Sequence, residues 1–153
     1  MRKLTTFLCI CFIVNFGHTQ INEKDSLAAE YFKLGNQYFR QGNFDSSEIF
    51  LNQSMDLYVE SGKKSEQANV HKSLGGVRHF QGQFVESTEH LQKAKNLFLE
   101  SGDDVGAASI LLNISTSNYA QLRYEEALET ALEALEILEK SESDEALFGT
   151  AYL

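Results

Sequence analysis

Proline is absent from all 153 residues, and cysteine occurs only at Cys9 and Cys11. Without proline nothing breaks a helix from within, and few β-branched runs beside many Ala, Leu, Glu, Gln and Lys residues predict an all-α fold. Both cysteines lie in an N-terminal apolar run. If that run is removed no thiol remains, which excludes a disulfide framework, a cysteine zinc site and a cysteine nucleophile. Positive charge is scarce as well. Of 13 Lys and Arg residues set against 22 Asp and Glu, Arg2 and Lys3 fall in the first twenty residues, which hold no acid, so the rest of the chain carries a formal charge of −11. Such a surface repels a phosphate backbone and argues against nucleic acid, leaving basic or neutral polypeptides as the easier partners. The sequence also has no Gly-rich phosphate loop, Gly-x-Ser-x-Gly elbow or dinucleotide fingerprint, so no cofactor and no enzymatic activity are expected.

The N-terminus reads as an address. Arg2 and Lys3 precede an apolar run from Leu4 to Phe16, followed by Gly17-His18-Thr19-Gln20. A positive head, an apolar stretch too short to span a membrane comfortably, and small residues before a cut near Thr19 predict a secretory signal peptide over 1–19. The protein is therefore expected to be exported, periplasmic or extracytoplasmic. Membrane attachment would come only from an uncleaved signal or from a further C-terminal segment. Residues 20–26 read as a polar lead-in.

From Leu27 onward the chain repeats. Gln81-Gly82-Gln83-Phe84 has a near copy 40 residues earlier, Gln41-Gly42-Asn43-Phe44, and a weaker one 40 residues later, Gln121-Leu122-Arg123-Tyr124. Each stands between two segments of helical pattern, which is the mark of a repeat array. First helices are predicted at Leu27 to Gln41, Ser65 to Gln81 and Gly106 to Gln121, and second helices at Phe44 to Glu60, Phe84 to Glu100 and Tyr124 to Lys140. Leu34-Gly35, Leu74-Gly75 and Ile114-Ser115 occupy one slot, where a small residue lets two helices cross closely. Ser61-Gly62 and Ser101-Gly102 mark the ends of second helices, and Asp103-Asp104 can cap the next helix. The units are thus 27–65, 66–105 and 106–145. The third lacks the exit glycine, so its exit turn, at Ser141-Glu142, is expected to differ. Ser143-Asp144 is then read as capping a fourth unit over 146–153, cut short before its own Leu-Gly slot. A solenoid ordinarily ends in a polar capping helix, so the chain is expected to be the N-terminal part of a longer product.

Leu34-Gly35 with Tyr38, Gly42 and Phe44, the small residues Ser47, Ser87 and Ala127, and Ala94 and Ala134 downstream resemble the tetratricopeptide repeat pattern. The resemblance covers Leu27 to the end. It departs from the commoner 34-residue unit and resembles the longer repeats of kinesin light chains, of Pins-type adaptors and of bacterial extracytoplasmic sensor modules. The fold it implies is a right-handed α-α superhelix of three helix hairpins plus the start of a fourth, whose first helices line a concave peptide-binding groove. The function it implies is an exported scaffold that binds a protein or peptide in that groove. The alternative is the N-terminal sensory module of a membrane-bound histidine kinase or transcriptional regulator.

By register the resemblance places Phe32, Asn36 and Phe39 on the groove from the first unit, Asn69, Lys72 and His79 from the second, and Leu112, Asn113 and Tyr119 from the third. Ala29, Arg40, Gly76, Phe80, Ser109 and Thr116 share those faces. Asparagine amides suit the backbone of an extended peptide, and aromatics its apolar side chains. Family members that clamp a C-terminal carboxylate use lysines and an arginine. Those slots here hold Phe32, Asn36, Ser73, Ser109 and Asn113, so tail-clamping is not expected. His71 and His79 are eight residues apart on one helix and His90 is on its partner, without the spacing of a zinc site, and no metal is expected.

Overall fold

The structure, a computed structural model, describes residues 23–151, with side chains as far as Ser141. The leader expected at 1–19 lies outside the described residues. Among the described residues there are six helices and no strand, and no helix is long and apolar enough to cross a membrane. Helix α1 covers residues 23–40, α2 Phe44–Glu60, α3 Lys64–Phe80, α4 Phe84–Glu100, α5 Asp104–Ala120 and α6 Tyr124–Ala151. The protein is an all-α helical solenoid of helix hairpins. It divides into two compact units, one ending at Lys63 and one beginning at Lys64.

In the first unit, α1 begins inside the stretch expected to be a lead-in. An ion pair between Lys24 and Glu60, and another between Lys63 and Asp25, join the polar first turn of α1 to the end of α2. The second unit repeats the first of these between Lys64 and Glu100 at 2.8 Å. So residues 23–26 are the first turn of the repeat, polar because it lies at the exposed end of the hairpin. Within this unit Gly35 sits where an added Cβ would lie 2.7 Å from Leu51 Cγ, the close crossing that the sequence predicts. Ser54, fully buried, donates to the Ala28 carbonyl at 2.8 Å.

The second unit stacks α3–α4 on α5–α6. Its core consists of Ala68, Leu91, Ala94, Phe98, Ala107, Ile110 and Ile114, and a second cluster joins Ala108 and Leu111 of α5 to Ala134 of α6. The hairpin crossing changes chemistry between repeats. Around Gly75, Ser87 Oγ donates to the Gly75 carbonyl at 2.8 Å, and Leu91 fills the space beside the glycine. One repeat later Ser115 replaces the glycine and donates in the other direction, to the Ala127 carbonyl at 2.7 Å. Ala131 there replaces the leucine. A side chain gained on the first helix is balanced by one lost on the second, so the helices stay close.

The joint that recurs through the sequence is a Schellman turn in each copy. Gly42 and Gly82 have φ of 74° and 78°, and Asn43 and Gln83 donate from their backbone N–H to the carbonyls of Tyr38 and Arg78. The third copy keeps the same bond, from Arg123 to Asn118, although Leu122 takes φ 63°. An L-residue in that region costs about 1–2 kcal/mol. The rings of Tyr119 and Tyr124, 5.3 Å apart and edge to face, brace the turn across that cost. Leu122 is 71% exposed, so little packing is lost with its side chain. Leu122→Gly is therefore expected to stabilise the chain by about 0.5–1 kcal/mol after the entropy of the added glycine is deducted. A urea midpoint at or below that of the wild type would refute the strain.

A second departure lies at the end of α6. The sequence predicts an exit turn at Ser141-Glu142 and a new helix from Ala146, but α6 continues without a break to Ala151. The preceding exits use Gly62 and Gly102 at φ 68° and 75°. No glycine stands at the corresponding place after Lys140, and Ser, Glu and Asp residues there can propagate the helix already formed.

Candidate functional site

The second unit carries a cleft of about 230 Å³ between α3 and α5, floored by α4. From α3 come Lys72, Gly75, Gly76, His79 and Phe80, and from α5 come Asn113, Thr116, Ser117 and Ala120. The cleft opens because of Gly76. The slot that holds Asn36 in α1 and Thr116 in α5 has no side chain in α3, and beside it Gly75 exposes Ser87 and Leu91 of α4 as the floor. Phe80 stands at the rim, 68% exposed. The His79 ring lies edge-on to Phe84 at 5.2 Å and to Phe80 at 5.9 Å. The cleft thus combines one ammonium group, an imidazole, an amide and three hydroxyls with an aromatic rim and a floor of one serine and one leucine.

Of the residues that the sequence places on a groove, Lys72, His79 and Asn113 meet in this cleft, together with Gly76, Phe80 and Thr116 from the same faces. Leu112 and Tyr119 are exposed on α5 but do not line it. Tyr119 instead lines a separate cleft with Tyr124, Ala127, Leu128 and Ala131. Asn69 lies nearer the start of α3, where its amide donates to the Ser65 carbonyl at 3.1 Å. In the first unit Asn36 makes the same bond to the Phe32 carbonyl at 2.9 Å. These two amides thus spend one donor inside their own helices. Phe39, His79 and Tyr119 share a further role, since each rests against the aromatic that opens the next helix. The pairs are Phe39 with Phe44 at 6.1 Å, His79 with Phe84 at 5.2 Å and Tyr119 with Tyr124 at 5.3 Å. Aromatic groups at this slot brace the joint, whatever else they touch.

Ser117, Ala120, Ser87 and Leu91 are lining residues that the register does not single out. The available signal is Gly75-Gly76 itself, because two adjacent glycines in a helix interior cost stability and uncover what lies beneath them.

The histidines come together in a pair that spacing alone does not give. His71 Nδ1 and His90 Nδ1 are 3.0 Å apart across α3 and α4, so one ring donates to the other. Burial, then the nearby His90 and Lys93, lower the pKa of His71 to about 4, which keeps its ring neutral at pH 7. In the first unit the same two slots hold Tyr31 and Phe50, rings 6.0 Å apart. The pair is thus a polar version of a packing contact. Among the described residues no group of three or more His, Cys, Asp or Glu side chains converges to hold a metal ion.

Known proteins give the following likenesses. A family model described as tetratricopeptide repeat matches residues 66–140. In structure the chain is similar to BtubC (BKLC) from P. vanneervenii, with a TM-score of 0.66 and 20% identity, over 76% of this chain and 48% of BtubC. It is also similar to the TPR domain of Arabidopsis FLU, with a TM-score of 0.66 and 15% identity, over 76% of this chain and 98% of that domain. The chain thus spans about half the length of BtubC, and at these identities the likeness concerns the fold. No curated protein matches the sequence.

Proposed function

Since this chain is a tetratricopeptide repeat protein, and such repeats serve as scaffolds for protein-protein interaction, we propose that it binds an extended peptide in the cleft between α3 and α5. The convergence of Lys72, His79 and Asn113 over the Ser87 and Leu91 floor carries this reading. Asn113 is exposed and offers an amide donor and acceptor to a peptide backbone. Phe80 offers a ring face for an apolar peptide side chain, and Lys72 a charge for an acidic one. No catalytic step is proposed for this segment. The leader-like residues 1–19 support export of the scaffold, and its acidic surface supports a partner with basic or neutral flanks.

A displayed peptide library selected against the wild-type chain tests the cleft. Peptides so enriched are expected to bind Asn113→Ala plus Phe80→Ala at least about tenfold more weakly, as for truncation of a central contact pair. Both side chains are exposed, so helix content should be unchanged by circular dichroism. Equal affinity for wild type and double variant would remove the cleft from the role.

A further inference from the structure

The α3–α5 cleft departs from the rest of the chain in its charge. The sequence holds 22 Asp and Glu residues, yet none of them lines the cleft, whereas Lys72 and His79 both do. Lys72 is half-buried and has no acidic partner among the described residues, unlike Lys24, Lys63, Lys64 and Lys95, each of which holds a carboxylate. An ammonium group partly withdrawn from water without a counter-charge favours an anion arriving from outside.

The hydroxyl groups of the cleft are already engaged. Ser87 Oγ donates to the Gly75 carbonyl and Thr116 Oγ1 to the Leu112 carbonyl, both at 2.8 Å, while Ser117 Oγ accepts from Gln121 Nε2 at 3.2 Å. With the Ser87 proton spent, the floor beneath Gly75 and Gly76 offers a guest the Leu91 side chain and no free donor, which suits an apolar group. The Asn113 side-chain amide makes no hydrogen bond to another described residue and is left for the guest's backbone. The recess and the ammonium group also stand at a defined spacing. Lys72 and Gly76 are one turn apart on α3, about 6 Å, and side chains two residues apart on one face of an extended peptide are separated by about 6.6 Å. The two spacings match.

We infer that the cleft, taken as the peptide site proposed above, selects one pattern: a large apolar residue and an aspartate or glutamate with a single residue between them. The apolar side chain enters beside Gly76 onto Leu91, and the carboxylate meets Lys72. Gly76 is the position that sets this specificity, since Asn36 in α1 and Thr116 in α5 fill the same slot with a side chain. The carboxylate is that of a side chain and not of a chain end, because the slots where lysines and an arginine would clamp a terminus, Phe32, Asn36, Ser73, Ser109 and Asn113, hold no cation.

The probe is a randomised peptide library flanked on both sides by fixed glycine-serine sequence, so that no free terminus is offered, with a second library ending in a free carboxylate as its counterpart. Selection on the wild-type full chain is expected to enrich the apolar-x-acidic pattern, in either chain direction, from the flanked library. Gly76→Thr installs the residue of α5, so helix content should be preserved while these peptides bind at least about tenfold more weakly. That loss should vanish for peptides whose apolar residue is replaced by alanine, as a double-mutant cycle requires of a direct contact. Lys72→Gln is expected to weaken the acidic peptides but not their glutamine-for-glutamate counterparts. Peptides that need Asn113 and Phe80 but lack the pattern, or that bind Gly76→Thr as they bind the wild type, overturn the inference and leave the peptide site standing. So does enrichment from the free-carboxylate library alone, which would assign the charge to a chain end. No enriched peptide from either library, or peptides indifferent to Asn113→Ala plus Phe80→Ala, would remove the peptide site and the inference together.

Discussion

Phe98→Ala is expected to lower the unfolding free energy by about 3–5 kcal/mol, the range for removing a buried aromatic side chain. Phe98 is 3% exposed, near the end of α4, and it belongs to the cluster with Ala68, Leu91, Ala94, Ala107, Ile110 and Ile114. Those residues come from α3, α4 and α5, so one ring serves both the hairpin and the contact between hairpins. Its fit depends on the start of α5, where a Cβ at Gly106 would lie 2.7 Å from Phe98 Cδ1. The Asp103 side chain caps the same turn, accepting from the Gly106 N–H at 2.7 Å. A truncated side chain would leave a void that this capped, close-packed turn cannot readily fill. The loss should also appear as reduced cooperativity, because an array is held together by nearest-neighbour interfaces. Urea unfolding followed by far-ultraviolet circular dichroism should therefore give a lower midpoint and a shallower slope. A loss below about 1 kcal/mol with an unchanged slope would show that Phe98 does not hold the hairpins together.

In the first unit, Gly35→Val is expected to cost about 3 kcal/mol, at the upper end of the range for overfilling a packed interior. The space beside Gly35 is already taken. An added Cβ would lie 2.7 Å from Leu51 Cγ, 2.9 Å from its Cδ2 and 3.2 Å from its backbone nitrogen, and Leu51 is fully buried. The leucine cannot yield by swinging into solvent, and its backbone cannot retreat without parting α1 from α2. Gly35→Ala should be milder, because alanine recovers about 1 kcal/mol of helix propensity against the same clash. The third repeat shows how a larger residue at this slot is accommodated, since Ser115 faces Ala131 and not leucine. Hydrogen exchange of residues 23–60 should report the loss locally. Unchanged protection in Gly35→Val would mean that the crossing is looser than its geometry indicates.

Both substitutions touch features that are legible in the amino-acid order. The Leu-Gly slot points to a close crossing, and the period locates the hairpin joints. The asparagine and aspartate before α2 and α5 act as caps, Asn43 accepting from Ser46 N–H at 3.1 Å and Asp103 from Gly106 N–H. Helix bounds are illegible where local signals are weak. The first turn of α1 is as polar as a linker, yet it is helical and its Lys24 and Asp25 pair with Glu60 and Lys63 of the same unit. At the end of the third unit, analogy with the earlier exits implies a turn, but without a glycine the helix does not stop.

The candidate site divides along the same line. Register puts Lys72, His79 and Asn113 on one face, because helical period fixes which way each residue points. It does not separate the three that share a cleft from Asn69, whose amide turns back on its own helix. Nor does it find the bond between His71 and His90, 19 residues apart on two helices. The period, the helix type, the glycine joints and the close crossings are all carried by the chain's own order, since each follows from backbone conformation or side-chain size repeated at one position. Packing between helices settles the rest: which aromatics brace a joint and where a missing side chain opens a cleft. Those outcomes depend on distances between helices, which no single helix encodes.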